Sequence, residues 1–241
     1  MQVIELRNYR LEDGRTADFI RYFEEHFLVS QRDEGTHVLG QFAVVDQPDR
    51  FVWIRGFADM KARRRGLDGF YDGAFWQARR SEANAMIRDH TDVHLLRPLG
   101  PLDLLTGGVP FAERASAPPG VVSPAAGFVV VDFYRATGGR DRLVHALDKR
   151  LRSELLERRH QILGHFVAEL APNDYPRLPV TQDPALLVVI GAYRDRTHHA
   201  QLTLESDLRA ELRSLSTAGV VTLHLQPTAR SIVRYRAPDT G

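Results

Sequence analysis

The chain has 241 residues, 43% hydrophobic and 26% charged, which is the composition of a soluble globular protein with room for two ordinary domains. Its formal charge of +1 gives no global field for nucleic acid or an anionic membrane. With no cysteine, disulfides, thiolate metal sites and a cysteine nucleophile are excluded. The opening MQVIELRNYR is charged within five residues, unlike a secretory signal, and no run of about eighteen apolar residues predicts a membrane span. A cytoplasmic protein is the expectation. Only Lys61 and Lys149 are lysines among 32 basic residues, a bias expected of a GC-rich genome rather than of a binding function.

In chain order, Val3 to Leu11 predicts a strand closed by the turn signal Glu12-Asp13-Gly14. Ile4, Leu6 and Asn8 share one face; Val3, Glu5, Arg7 and Tyr9 share the other. Phe19, Ile20, Phe23 and Phe27 recur at helical spacing from about Thr16, a plausible N-cap, to Asp33, and Gly35 ends the helix. Strands follow at His37 to Val45 and Arg50 to Phe57, joined by Asp46-Gln47-Pro48-Asp49. Ala58 to about Arg88 is mostly helical with interruptions near Gly69 and Gly73, and Asp92 to Arg97 is a fourth strand stopped by Pro98. The order β-α-β-β-α-β is that of a ferredoxin-like module.

The outline returns. Val38-Leu39-Gly40-Gln41-Phe42 reappears as Ile162-Leu163-Gly164-His165-Phe166, and Asn8-Tyr9-Arg10 as Phe133-Tyr134-Arg135. Tyr9 precedes Gly40 by 31 positions and Tyr134 precedes Gly164 by 30, which argues for a duplicated module. The second copy predicts strands at 128–135, 161–170, 185–193 and 220–226 and helices at 140–159 and 197–215. The division expected is 1–100, a linker at 101–126, and 127–235. Leu102, Leu104 and Leu105 suggest that the start of the linker is docked, and 236–241 is expected to fray. The central hairpin of the second copy is longer and carries Pro172, Pro176, Pro179 and Pro184, predicting an ordered flap or an exposed loop.

Glu5-Leu6-Arg7-Asn8-Tyr9-Arg10, Val38-Leu39-Gly40-Gln41-Phe42, Phe51-Val52-Trp53-Ile54-Arg55-Gly56-Phe57, Phe70-Tyr71 with Phe75-Trp76, and Leu95-Leu96-Arg97-Pro98 resemble the NIPSNAP family. The resemblance covers about residues 1–98, with 128–227 as a degenerate second copy. It implies an α+β fold, a dimeric α+β barrel in which two ferredoxin-like sheets pack face to face with helices outside. It implies no settled activity. The wider superfamily includes cofactor-free monooxygenases of polyketide tailoring, haem-dependent enzymes, and isomerase- or dehydratase-like enzymes, and fold alone does not choose among them. The residues agree with a barrel, since Val3, Tyr9, Trp53 and Phe57 make the second face of the sheet apolar as well. That second face is expected to meet the sheet of the other repeat, so that two repeats close one barrel within the chain.

Glu5, Arg7 and Arg55 are charged residues on the same face and require partners if buried. One reading is an ion-pair network across the barrel, Arg7 or Arg55 with Asp132 or Glu5; the other is an arginine holding a substrate carboxylate or enolate, with Arg55 the one favoured. Trp53, Tyr71, Phe75 and Trp76 are the densest aromatic set, read either as core or as a pocket wall. The second copy has Val189 and Gly191 at the positions of Trp53 and Arg55, so one active pocket would belong to the first copy. His26, at the margin of the core-facing helical stripe, and Tyr9 are the candidates for proton transfer, and a satisfied structural histidine is the alternative for His26. Gln41 and its counterpart His165 could meet a ligand or each other. His90 and His94, with Asp89 and Asp92, lack ligand spacing for a metal. His198-His199 and Arg63-Arg64-Arg65 read as solvated. No Walker loop, dinucleotide fingerprint, GxSxG or HExxH occurs.

The leading expectation is an enzyme without cofactor or metal, acting on a small apolar or aromatic metabolite by oxygenation or a proton-transfer rearrangement. His26, Tyr9 and Arg55 would carry the chemistry, with Gln41, Trp53, Tyr71, Phe75 and Trp76 binding substrate. The alternatives are a non-catalytic binding or interaction module and, more weakly, a haem protein with His26 as axial ligand. A small-molecule ligand is expected, with no nucleic acid and no membrane as partner, and a homodimer in addition to the intrachain barrel.

Overall fold

A computed structural model describes residues 1–106, 111–158, 161–204 and 206–237. Strand Val3–Leu11 (β1) turns into helix Thr16–Asp33 (α1), whose buried stripe of Phe19, Ile20, Phe23, Phe27 and Leu28 follows the helical period. Strands His37–Val44 (β2) and Arg50–Phe57 (β3) make the hairpin. Helices Met60–Asp72 (α2) and Ala74–Ala85 (α3) follow, then strand Ile87–Pro98 (β4). Short helices Asp103–Thr106 (α4) and Phe111–Ser116 (α5) occupy the connection. The second half is Phe128–Arg135 (β5), Asp141–Arg158 (α6), Gln161–Ala168 (β6), Leu186–Tyr193 (β7), Arg196–Leu204 (α7), Asp207–Leu215 (α8) and Val220–Pro227 (β8).

The strands close into a barrel in the order β1-β3-β2-β8-β5-β7-β6-β4. Each half contributes an antiparallel four-stranded sheet of ferredoxin-like topology. Equivalent seams join the sheets: Phe42–Val44 pairs with Leu225–Pro227, and Leu96–Pro98 pairs with Phe166–Ala168. Two tandem ferredoxin-like modules thus pair as a dimeric-type α+β barrel within one chain, and closure leaves no open sheet edge. No helix among the described residues is long and apolar enough to cross a membrane.

The interior of the barrel corrects the expected assignment of faces. Ile4, Leu6, Val52 and Ile54 pack with Val129, Val131, Val188 and Ile190 between the sheets. Tyr9, Trp53 and Phe51 lie on the opposite face, under α1 and α2, with Phe19, Phe23, Phe27 and Phe70. Both faces are apolar because one meets a sheet and the other meets helices, and alternation alone cannot tell those covers apart. One end of the barrel is filled from outside the strands. Leu105 and Val233 enter the same core, and the Leu39 carbonyl accepts hydrogen bonds from the backbone N–H groups of Ile232 and Val233 at 2.9 and 3.0 Å. The docked start of the connection agrees with expectation at Leu102 and Leu105, while the side chain of Leu104 lies outside the described residues. Of the tail expected to fray, 238–241 also lies outside them.

Other boundaries differ for local reasons. Gly69 sits inside α2, and the helical run breaks only at Gly73, whose backbone is extended (φ −66°, ψ 146°). β4 begins at Ile87, five residues before the expected start, because pairing with β1 extends it past the end of its apolar pattern. The single helix expected at 197–215 is two, with Ser206 capping the second by accepting from the Arg209 N–H.

The repeated Gly-x-Phe is a folding device. Pairing registers shift between Val38 and Gly40 and again between Ile162 and Gly164, so each copy carries a β-bulge there. A Cβ on Gly40 would fall 2.4 Å from the Phe42 ring, and one on Gly164 would fall 2.6 Å from the Phe166 ring. The close neighbour is therefore the strand's own phenylalanine, folded back over the glycine into the core. Gly40→Val should lower stability by about 1–3 kcal/mol through overpacking. Thermal melting tests this; an unchanged Tm would show that Phe42 can move aside freely.

Candidate active site

The site rests on a buried charge cluster. Glu5 on β1 pairs in register with Arg55 on β3, with Arg7 two residues along β1 and Arg63 reaching in from α2. All four side chains are fully buried. Arg55 Nη2 lies 2.6 Å and Arg7 Nη1 3.1 Å from Glu5 Oε2, and Arg63 Nε lies 2.6 Å from Oε1. Arg63 Nη1 also meets Asp174 at 2.7 Å, tying the β6–β7 flap to the cluster. Burial alone would raise the Glu5 pKa, but the charges of Arg55, Arg7 and Arg63 outweigh it and hold the carboxyl far below its ordinary 4.5. Three guanidiniums face two carboxylates, so the cluster carries one excess positive charge.

Above the cluster lies a cavity of about 220 Å³ between the sheet and helices α1, α2 and α3. Tyr9 and Trp53 form its floor, Phe23 and Phe27 one wall, and Phe70, Tyr71 and Trp76 another. The flap closes one side with Tyr175, Arg177 and Leu178. The Arg55 guanidinium lies 4.9 Å from the centre of the Trp53 ring and that of Arg7 5.6 Å, so cations back the aromatic floor.

Several polar groups address this space. Trp53 lines it, and its Nε1 is buried with no hydrogen-bond partner among the described residues; Arg7 Nη2, in the cluster beneath, is likewise buried without one. Arg7 Nε donates to the Tyr9 hydroxyl oxygen at 3.0 Å, which leaves the Tyr9 proton free to donate. Burial and the neighbouring Tyr71 raise the Tyr9 pKa more than Arg7 and Arg55 lower it, so the phenol stays protonated. Gln31 lines the cavity and is held by Arg55 Nη1 donating to its Oε1 at 3.0 Å. His90 lines the mouth, its ring centre 6.2 Å from that of Tyr9. Burial and the charge of Arg7 lower its pKa against the opposing pull of Asp89, so its imidazole is neutral at neutral pH.

The structure brings Tyr9, Trp53, Tyr71 and Trp76 together on the cavity wall. Arg55 lies beneath it and reaches it through Gln31. Three candidates fall elsewhere. His26 is outside the wall, its ring 4.5 Å from Tyr22, because it sits one step too far round α1. Phe75 is 40% exposed, with the Arg79 guanidinium 3.8 Å from its ring centre. Gln41 is buried in another cluster, where Thr228 donates to Glu24 at 2.6 Å and to Gln41 at 3.5 Å. His26, the axial ligand candidate of the haem reading, is therefore off the wall of this cavity. Sequence reasoning missed Gln31, His90 and the flap residues. His90 lies beyond the apolar part of its strand, and Tyr175 comes from the other half of the chain. Arg63 and His199, both expected to be solvated, are buried. Among the described residues no group of three acidic or histidine side chains could hold a metal ion.

Asp132 does not reach across the barrel. It pairs with Arg209 of α8 at 2.7 Å on its own half's helix-covered face. There the equivalent space is closed to about 10 Å³ by Arg209, Tyr193, Leu208 and their neighbours. His199 beside it is pushed down to about 4 by burial and by Arg209.

Glu5→Gln leaves three buried guanidiniums facing a neutral amide and should cost about 3–5 kcal/mol. The pH profile carries the same signature. The folded carboxyl titrates below 4.5, so the unfolded chain takes up the proton first. The contribution of Glu5 is therefore full above that pH and is lost as the pH falls toward the folded value. Denaturant unfolding from pH 7 to 3 should show this loss in the wild type and a shallower slope in Glu5→Gln. Parallel slopes would mean that the carboxyl is not held by the arginines.

The family model described as NIPSNAP matches residues 4–100. Among solved structures, a candidate monooxygenase from Lactobacillus acidophilus NCFM is 11% identical with a TM-score of 0.58, covering 98% of this chain and 100% of that one. An anthrone oxidase-like protein is 12% identical with a TM-score of 0.56, covering 98% and 97%. A NIPSNAP family protein from Agrobacterium tumefaciens str. C58 is 19% identical with a TM-score of 0.38, covering 40% of this chain and 85% of that one. No curated protein matches the sequence. At these identities the first two structures share the fold alone, and the family model applies to the first half: residues 4–100 match the NIPSNAP domain, within a whole-chain α+β barrel.

Proposed function

We propose that the cavity of the first module, residues 1–100, binds a small planar apolar or aromatic metabolite bearing one oxygen, and abstracts a proton from it without a cofactor. On this reading residues 127–235, joined through 101–126, close the barrel and lend the flap. The observation that supports it is the pairing of an aromatic slot with a donor of its own floor, Trp53 Nε1, that has no partner among the described residues, over a cluster of excess positive charge. A carbonyl or phenol oxygen supplies the missing acceptor. As a proton leaves, that oxygen becomes an enolate or phenolate, and fixed donors in a dry site stabilise the developing charge.

The roles follow from the pKa directions. His90, neutral at neutral pH, is the base. Tyr9, kept protonated, donates a hydrogen bond to the oxygen and is not itself the base. Arg55 is a positioning residue that holds Gln31. The resulting carbanion is common to proton-transfer rearrangement, where carbon is reprotonated elsewhere, and to oxygenation, where dioxygen captures it. A non-catalytic binding module is the reading that remains if a ligand is held but no proton moves.

Anthrone serves as a probe, being a flat aromatic ketone with an acidic methylene. The protein should quench its tryptophan emission on binding anthrone and should speed exchange of the methylene protons in D2O. Trp53→Phe, which keeps an aromatic floor of smaller size and removes the N–H, should weaken binding about tenfold. His90→Gln should slow exchange by about 10²–10⁴-fold with binding and Tm near normal, since the residue is exposed. Binding without exchange would establish the binding-module reading, and no binding would overturn the site.

A further inference from the structure

The open end of the barrel holds a second cavity, of about 320 Å³, on the face of β1 and β4 opposite the site above. Leu6, Phe133 and Leu223 form its apolar wall, and Asn8, Asp92, His94 and Arg135 bring polar groups to it. The other end of the barrel is filled by Leu105 and Val233; this end is not. The barrel core there is thus reachable from solvent past Val221, which is 52% exposed.

Two side chains on its wall are buried and incompletely satisfied. Asn8 is 8% exposed and His94 7%. Asn8 Nδ2 donates to Asp92 Oδ2 at 2.8 Å. His94 Nε2 lies 3.3 Å from Asp92 Oδ1, and among the described residues neither His94 Nδ1 nor Asn8 Oδ1 has a partner. The contact with a carboxylate makes Nε2 a donor, and in the neutral ring Nδ1 then presents a lone pair. Asn8 Oδ1 is an acceptor, as is Nδ1 in that form, and each costs free energy until a donor reaches it.

The charge points the same way. Burial would raise the Asp92 pKa, but the hydrogen bonds from His94 and Asn8 and the Arg50 charge more than offset it, so Asp92 is ionised. Arg135 is already matched by Asp183, 2.9 Å away. The wall therefore offers the Asn8 amide oxygen, His94 Nδ1, one carboxylate and the face of Phe133, whose ring centre is 4.9 Å from that of His94. An ammonium group suits that set, donating to several acceptors at once and favoured by an aromatic face.

We propose that this open end is a second ligand site, one that takes a small organic amine in its protonated form, with the ammonium at Asn8, Asp92 and His94 and the hydrocarbon part against Leu6, Phe133 and Leu223. The site is separate from the aromatic cavity, because residues alternate across β1: Asn8 faces this end, and Tyr9 faces the helices.

The test uses the full chain, labelled with ¹⁵N in histidine and tryptophan side chains, and three probes of one shape: benzylammonium, benzyl alcohol and benzoate. Benzylammonium should move the His94 Nδ1 resonance saturably and leave the Trp53 indole resonance in place. Benzyl alcohol should bind about tenfold more weakly and benzoate not at all. Asn8→Ala should weaken benzylammonium about tenfold with folding checked by melting. Should that variant not fold, the probe series on the wild type decides alone. The proposal is overturned if no probe gives a saturable shift, which means water only, or if benzoate binds as well as the amine. It is likewise overturned if the shift appears at Trp53 instead of His94, or if folded Asn8→Ala binds the amine unchanged.

Discussion

One carboxylate shared by three guanidiniums organises the first half of this protein. Glu5 joins β1, β3 and α2 through contacts of 2.6–3.1 Å, and Arg63 carries the link on to the flap through Asp174. Each ion has left water, and none would stay charged there alone, so the members hold one another in place. The planar arginine heads under Trp53 and Tyr9 also keep those rings from sinking onto the sheet. Helices α1, α2 and α3 then close around an aromatic slot instead of a filled core, and Trp53 Nε1 is left in its floor.

The two halves share a fold and differ in how they use it. Their seams, bulges and folded-back phenylalanines correspond. Beneath the helices the charge pattern is changed: Val130 stands at the place of Glu5, Asp132 at that of Arg7, and Gly191 at that of Arg55. With an acid on the strand, the cation has to come from outside, and Arg209 of α8 fills the space that the first half leaves open. The second half still serves the first, since Tyr175, Arg177 and Leu178 of its flap close the slot. A duplication in which one copy supplies a wall to the other explains why the long hairpin belongs to the copy without a cavity.

The repeat, the strand order and the single-chain barrel were legible in the sequence, because Gly-x-Phe, the aromatic helix stripe and the β-α-β-β-α-β rhythm are local signals. Which sheet face meets the helices was not, because Ile4 and Leu6 on one side are as apolar as Trp53 and Phe57 on the other. Of the two partners expected for Arg7 and Arg55, Glu5 is the one they meet, while Asp132, expected across the barrel, pairs with Arg209 of its own half. Within the site, Tyr9, Trp53, Tyr71 and Trp76 declared themselves by density of aromatics. His26 did not follow them, since one step around a helix separates a wall position from a rim position. His90, Gln31 and Tyr175 become visible only when strand pairing and the flap are placed.

The claim that function lives in the slot over the Glu5 cluster is tested most directly by a crystal structure of the protein soaked with anthrone. The account predicts ligand density between Trp53, Phe27, Tyr71 and Trp76, with the ketone oxygen within hydrogen-bond distance of Trp53 Nε1 and nothing bound beneath the helices of the second half. Density beside Arg209, or a slot that stays filled by its own side chains at saturating ligand, would contradict it.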